Sequence, residues 1–147
     1  MRVVVGSDDT NEMSEAAIDE LRLRGFDVDV FTPTQWPDAA AQVAEEVSAG
    51  RADQGMLFCW TGTGTAMAAN KVPGVRAALA WEPWIAEGAR RWNDANVLVM
   101  SLKRTTPEVA RQIVRAWFSI TEPDKDEAAN IARLAEIEQR YRSGRDQ

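Results

Sequence analysis

The chain has no histidine, one cysteine and one tyrosine among its 147 residues. Without imidazole, a histidine general base, a Cys–His nucleophilic pair and a histidine-rich metal site are all excluded. The single cysteine, Cys59, permits no disulfide framework, so a reducing cytoplasm is the expected setting. No apolar run reaches the length of a bilayer span, and no transmembrane helix or membrane partner is expected. The amino-terminal MRVVVGSDDT is too short in its apolar part for a signal peptide and reads as a first strand. Basic residues are the minority, 17 against 23 acidic, for a net charge of -6. That balance argues against nucleic acid, whose binders present a basic face. It argues mildly against a highly phosphorylated ligand, while leaving room for a local basic pocket.

What is present fits one domain of ordinary size, with 45% hydrophobic residues to build a core. Apolar, β-branched runs alternate with helical spacings. Strands are expected at 2–5, 27–31, 54–59, 75–79 and 96–100, and helices at 12–24, 37–49, 63–71, 83–92 and 106–118. Pro37 suits a first helical turn, and Thr106-Pro107 reads as an N-cap followed by N1. After Glu122-Pro123-Asp124 comes a charged helix over 125–142, then a tail, SGRDQ, expected to fray. Strands alternating with helices imply βαβ units, a five-stranded parallel sheet and helices on both faces. Such sheets bind ligands at the carboxyl ends of their strands. Here those ends carry 6-GSDDTNE, 32-TPTQWP, 59-CWTGTG, 80-AWEPW and 101-SLKRT. The last helix has no strand after it. It packs either on a partner subunit or on its own sheet.

The stretch 56-MLFCWTGTGTAMAANKVPG-74 combines an apolar strand, the only cysteine and a Gly/Thr-rich turn. Gly62 and Gly64 allow a sharp turn that leaves amide N–H groups at a helix start, a ready anion site. It is not a P-loop, because G-x-x-x-x-G-K-[ST] is missing. It is not a dinucleotide fingerprint either, because position 67 is methionine. A purely structural turn is the rival reading. Cys59 likewise has two readings: a small buried hydrophobe, or a thiol activated by the helix that follows. Asp8 and Asp9 end the first strand, as solvated or capping groups or as ligand-binding carboxylates. Asn93-Asp94 reads as an Asx turn or as part of a site. Of the six tryptophans, Trp84 and Trp117 fall within helices and are expected in the core. Trp36, Trp60, Trp81 and Trp92 fall in loops or at element ends. Several of them on one rim would make an aromatic wall suited to stacking on a sugar.

These residues carry a resemblance. GSD near the start, then C-x-T-G-x-G-x-x-x-A-A-N-K-x-x-G-x-R-A-A, then E-P…A-x-x-x-R-x-x-N-D-A-N-V-L, resemble the ribose-5-phosphate isomerase type B family, to which galactose-6-phosphate isomerase subunits are related. The match runs in order over most of residues 1–142. The resemblance implies a flavodoxin-like three-layer α/β sandwich with an extra C-terminal helix. It implies a homodimer, or a tetramer built from it, with active sites between subunits. It also implies aldose–ketose isomerisation through a cis-enediolate, with neither metal nor nucleotide cofactor. By the same resemblance Cys59 is the base and Thr61 lies near the reacting oxygens. The backbone of 60–65, including Gly62, Thr63 and Gly64, forms the anion hole, and Asp8 and Asn93 bind the sugar.

The departures from the family pattern are informative. Asp9 stands where the family has a phosphate-contacting histidine, and Trp92 where it has a ring-opening histidine. Trp36 replaces a pocket tyrosine and Trp60 a glycine. Two phosphate-gripping arginines become Asp126 and Asn130, unless a register slip brings in Arg133. Lys103 matches a further arginine. Losing charge-assisted contacts of this kind removes about 1.5–3 kcal/mol each. The expected substrate is therefore a sugar other than ribose 5-phosphate: non-phosphorylated, differently substituted, or short and open-chain, with any ring opening left to Asp8 or Asp9. Two rivals stand beside this. One is a sugar-phosphate isomerase whose phosphate is held by Lys71, Lys103, Arg104 or Arg133; the other is a non-catalytic sugar-binding relative.

Overall fold

A computed structural model describes residues 1–143. Five strands, β1 (Arg2–Ser7), β2 (Asp27–Val30), β3 (Gln54–Cys59), β4 (Ala77–Leu79) and β5 (Val97–Ser101), form one parallel sheet in the order β2-β1-β3-β5-β4. The helices are α1 (Glu12–Leu23), α2 (Trp36–Ser48), α3 (Thr63–Ala69), α4 (Pro83–Asn93), α5 (Pro107–Ser119) and α6 (Ala128–Ser143). The expected α/β three-layer architecture with an extra C-terminal helix is present. The strand order reverses between β1 and β3, the position where such sheets open a crevice at their carboxyl edge.

Successive strand residues point to opposite faces, and the core divides accordingly. Val3, Val5, Met56, Phe58, Leu98 and Met100 pack with buried residues of α1, α4 and α5. Val4, Leu57, Val97 and Val99 pack with those of α2 and α3. The central strands β1, β3 and β5 are buried on both faces, which explains their unbroken apolar runs. Helix starts follow the capping signals. Asn11 accepts the Ser14 N–H at 3.1 Å to open α1, and Thr106 accepts the Val109 N–H at 3.2 Å to open α5.

Three expectations need correction. Trp117 is in the core, fully buried, with its indole N–H donated to Gln54 Oε1. Trp84 is not: it is 60% exposed and stands edge-on to Trp92 at 5.7 Å. It lies at the second position of α4, on the side turned away from the sheet. Next, β4 begins at Ala77 rather than Val75. Side-chain amides take the N–H groups at its start: Arg76 N–H donates to Asn96 Oδ1 at 2.7 Å, and Ala77 N–H to Asn70 Oδ1 at 2.8 Å. Finally, the last helix starts with a 3₁₀ turn, Lys125–Glu127, before α6.

No residue of α6 belongs to either core. The helix instead lies beside the entry to β4, where Glu138 accepts the Gly74 N–H at 3.1 Å, and encloses a cavity of about 340 Å³ with Arg76 and Asn93. Leu134, Ile137 and Tyr141 remain exposed on it. The expected frayed tail lies almost wholly outside the described residues. Among the described residues no helix is long and apolar enough to cross a membrane.

Candidate active site

Cys59 is the last residue of the central strand. Its neighbours are fixed by register: Phe58 pairs with Ser7 of β1, and Cys59 pairs with Ser101 of β5. The carbonyls that follow are tied to the β5 exit. Leu102 N–H donates to Cys59 O at 2.9 Å, Lys103 N–H to Trp60 O at 3.2 Å, and Ser101 Oγ to the same Trp60 oxygen at 2.7 Å. The strand end is thus rigid, and the thiol is only 4% exposed.

The turn after it requires glycine. Gly62 has φ +84°, and a Cβ there would collide with the Leu79 side chain. Gly62 caps α3, whose first three N–H groups, on Thr63, Gly64 and Thr65, have no intrahelical acceptor. Thr63 N–H finds Thr61 Oγ1 at 3.3 Å, and the two threonine hydroxyls lie 2.7 Å apart. Behind the turn, Thr65 Oγ1 lies 3.3 Å from Cys59 Sγ. Trp36, first residue of α2, covers Gly64. Its loop is pinned to β1 by Thr34 N–H donating to Ser7 O at 3.2 Å.

Asp8 follows β1 on the other side of Cys59. Its Oδ1 is buried with no hydrogen-bond partner among the described residues. Burial pushes the carboxyl up from its ordinary range; its own backbone N–H opposes this, and the Asp9 charge adds to it. Asp9 is exposed and accepts the Thr10 N–H at 2.8 Å. Asn11 Nδ2 donates to Leu102 O at 2.9 Å, joining this loop to the β5 exit. On the β4 side, a cavity of about 340 Å³ is lined by Trp60, Thr61, Trp81, Lys103 and Arg104. Lys103 Nζ sits 5.1 Å from the Trp60 ring centroid.

The carboxyl edge thus gathers Asp8, Asp9, Trp36, Cys59, Trp60, Thr61, Gly62, Thr63, Gly64 and Lys103. It does not gather Trp92, Asn93, Asp126 or Asn130. Helix α4 runs from the carboxyl edge back to the amino edge, about 16 Å for 11 residues. Trp92 and Asn93 end it there, and Asn93 lines the α6 cavity. Asp126 is exposed in the 3₁₀ turn, which is tied to the end of α4 by Asp124 N–H donating to Arg91 O at 2.8 Å. Asn130 donates to Glu127 at 3.0 Å. Sequence reasoning took in Thr65 only through its backbone, within the 60–65 anion hole the resemblance implies, and missed its side chain. Its signal was its place: third in a helix that starts directly after the Cys59 strand.

The profile described as Ribose/Galactose Isomerase matches residues 3–137. The chain belongs to this family. Its isomerase fold overlays a Clostridium thermocellum ribose-5-phosphate isomerase B with a TM-score of 0.86, at 33% identity, over 96% of this chain and 99% of that one. The Escherichia coli ribose-5-phosphate isomerase B is 38% identical over 107 residues, 73% of this chain and 72% of its own length. A Mycolicibacterium smegmatis D-erythrulose-4-phosphate isomerase 2 is 34% identical over 117 residues, 79% of this chain and 74% of its own. The candidate site holds no histidine, since the chain has none.

Proposed function

We propose that this isomerase interconverts an aldose and a ketose through a cis-enediolate, with Cys59 as the base. The observation that carries the reading is the junction of the thiol with the 60–65 turn. Seven consecutive residues, Cys59 to Thr65, supply both a proton acceptor and the amide donors an enediolate oxygen needs. The Cys59 thiolate takes the proton beside the carbonyl and returns it to the neighbouring carbon. The electron pair left behind moves onto the carbonyl oxygen, which the turn stabilises. Each well-aimed donor contributes about 3–4 kcal/mol to such a step. Base catalysis adds on the order of 100- to 10,000-fold. The hydroxyl proton on the neighbouring carbon passes to the former carbonyl oxygen, with Thr61 beside both oxygens, so that the new carbonyl forms as the old one becomes a hydroxyl; the unpartnered Asp8 oxygen meets a further sugar hydroxyl.

The substrate is a short sugar that stays open-chain, not ribose 5-phosphate. The chain has no histidine to open a ring, and Trp92 stands in its family position. A four-carbon sugar esterified on its terminal oxygen cannot close a furanose ring and needs no opener. A relative is named as an isomerase of such a compound, D-erythrulose 4-phosphate. Lys103 and Arg104, on the cavity wall beside Thr61, offer the phosphate a charge that Asp9 does not. They favour a phosphorylated short sugar over a neutral one. Trp92, Asn93, Asp126 and Asn130 enter the site from a second copy of the chain in a homodimer. A cytoplasmic setting belongs to the same proposal, since a free catalytic thiol needs a reducing compartment.

NMR in D₂O tests the reading, with wild type and Cys59→Ser on free and phosphorylated tetroses, pentoses and hexoses. Deuterium should enter C1 or C2 of a tetrose phosphate fastest, and the mutant should lose the exchange. Faster exchange of ribose 5-phosphate would overturn the substrate assignment. Exchange unchanged in Cys59→Ser would remove the base.

A further inference from the structure

Among the described residues, one hydrogen-bonding side chain reaches Cys59 Sγ: Thr65, through Oγ1 at 3.3 Å. Both side chains are buried, Cys59 at 4% and Thr65 at 0% exposure. The same hydroxyl lies 3.4 Å from Gly62 O, a carbonyl that already accepts the Ala66 N–H at 3.2 Å. The Thr65 proton therefore has two destinations: a carbonyl that is already served, and the sulfur. A thiolate in this position has no histidine to stabilise it, and no Lys or Arg side chain hydrogen-bonds it among the described residues.

The geometry points to Thr65 as the positioning residue of Cys59, donating its hydroxyl proton to the thiolate and setting the sulfur's strength as a base. The inference rests on the reading of Cys59 as the base. In the thiolate state Oγ1–H donates to S⁻. When sulfur holds the sugar's proton, S–H donates to Oγ1, and the hydroxyl turns to Gly62 O. Thr65 keeps its own proton throughout, so the only net transfer is from sugar carbon to sulfur and back. A charge-assisted bond of this kind is about twice as strong as a neutral one, so its weight falls on the thiolate. The rival account makes Thr65 a buried filler satisfied by its bond to the i-3 carbonyl, as threonines in helices often are.

The chain's single cysteine makes the test clean. Thiolate ultraviolet absorbance is titrated against pH, with Cys59→Ser as the blank for Tyr141. The variants are Thr65→Val, which keeps the shape and loses the hydroxyl, Thr65→Ala as a second hydroxyl-free form, and Thr65→Ser, which restores it. In Val and Ala the titration midpoint should move up by about one pH unit, and the acidic limb of kcat/KM should move with it. At neutral pH kcat/KM then falls about tenfold, through kcat rather than KM. Thr65→Ser should track wild type in both. Hydroxyl-free variants titrating like wild type, or Ser displaced as far as Val, would overturn the inference. Failure of the underlying reading looks different. If Cys59→Ala isomerises normally, sulfur is not the base, while the titration still decides whether Thr65 holds it.

Discussion

Trp36 lies against Gly64 so closely that a Cβ on residue 64 would stand 3.0 Å from the indole Cε3 and 3.1 Å from Cδ2. The contact joins the first turn of α2 to the first turn of α3. It therefore couples the aromatic wall to the turn that holds the donor N–H groups. Gly64→Ala should displace the indole and lower kcat/KM about tenfold, mainly through KM, with the melting temperature little changed. Combining it with Trp36→Ala should give less than the product of the two losses, because the second change removes the partner of the first. Multiplicative losses in the double-mutant cycle would show that the contact does not carry the effect.

Asp8 holds stability and function in opposition. Its carboxyl is raised, first by burial, so the native state prefers it protonated. Between the unfolded and folded titration points the native state binds more protons, so the group's contribution falls as pH rises, and the penalty is complete above the folded value. Asp8→Asn should therefore raise the urea midpoint at neutral pH. The gain should shrink as pH falls through the acidic range, where wild-type Asp8 becomes neutral. The same variant should lower kcat/KM, since the unpartnered oxygen is the one offered to substrate. A gain in stability constant with pH would rule out the titration account.

Much of this was legible in the chain because the signals were redundant. The runs VVV, MLFC and VLVM are apolar at every position, as strands covered on both faces must be. The cap at Thr106 has the side-chain chemistry its helix uses. Trp84 was misplaced because helix membership does not tell which face a residue occupies, and α4 turns that position outward. The early start assigned to β4 failed because the Asn96 and Asn70 side chains, rather than a neighbouring strand, take the Arg76 and Ala77 N–H groups. The division of the candidate residues between two edges was implicit in the topology: a residue at the junction of a helix and the following strand, as Asn93 is, lies at the amino edge of a parallel sheet. Thr65 was hidden because its role depends on one distance to sulfur, which spacing alone does not supply.

Away from the site, Trp117 and Gln54 are both buried, and the indole N–H donates to the amide oxygen. Trp117→Phe keeps most of the apolar volume but leaves the Gln54 oxygen unpaired, a cost of about 1–3 kcal/mol. The urea midpoint should fall accordingly while kcat and KM stay close to wild type. Replacing Gln54 by Leu in the same chain should recover part of the loss, since no orphaned polar group then remains. If the single change left the midpoint unaltered, the bond would contribute nothing net.

The separation of Cys59 from Asn93 makes the proposed dimer testable without a structure of it. Cys59→Ser and Asn93→Ala should each be nearly inactive as homodimers. A two-fold interface pairs each Cys59 with the other chain's Asn93. A mixed dimer then holds one doubly altered site and one intact site. Equal amounts of the two variants, exchanged by mild denaturation and refolding, should recover about a quarter of wild-type activity, because half of random dimers are mixed and each has one working site of two. Refolding each variant alone controls for simple repair. If the mixture stays as inactive as its components, while size-exclusion chromatography or differential tagging shows that mixed dimers formed, Asn93 does not act across the interface. The site would then have to be completed by residues already gathered at the carboxyl edge of one chain.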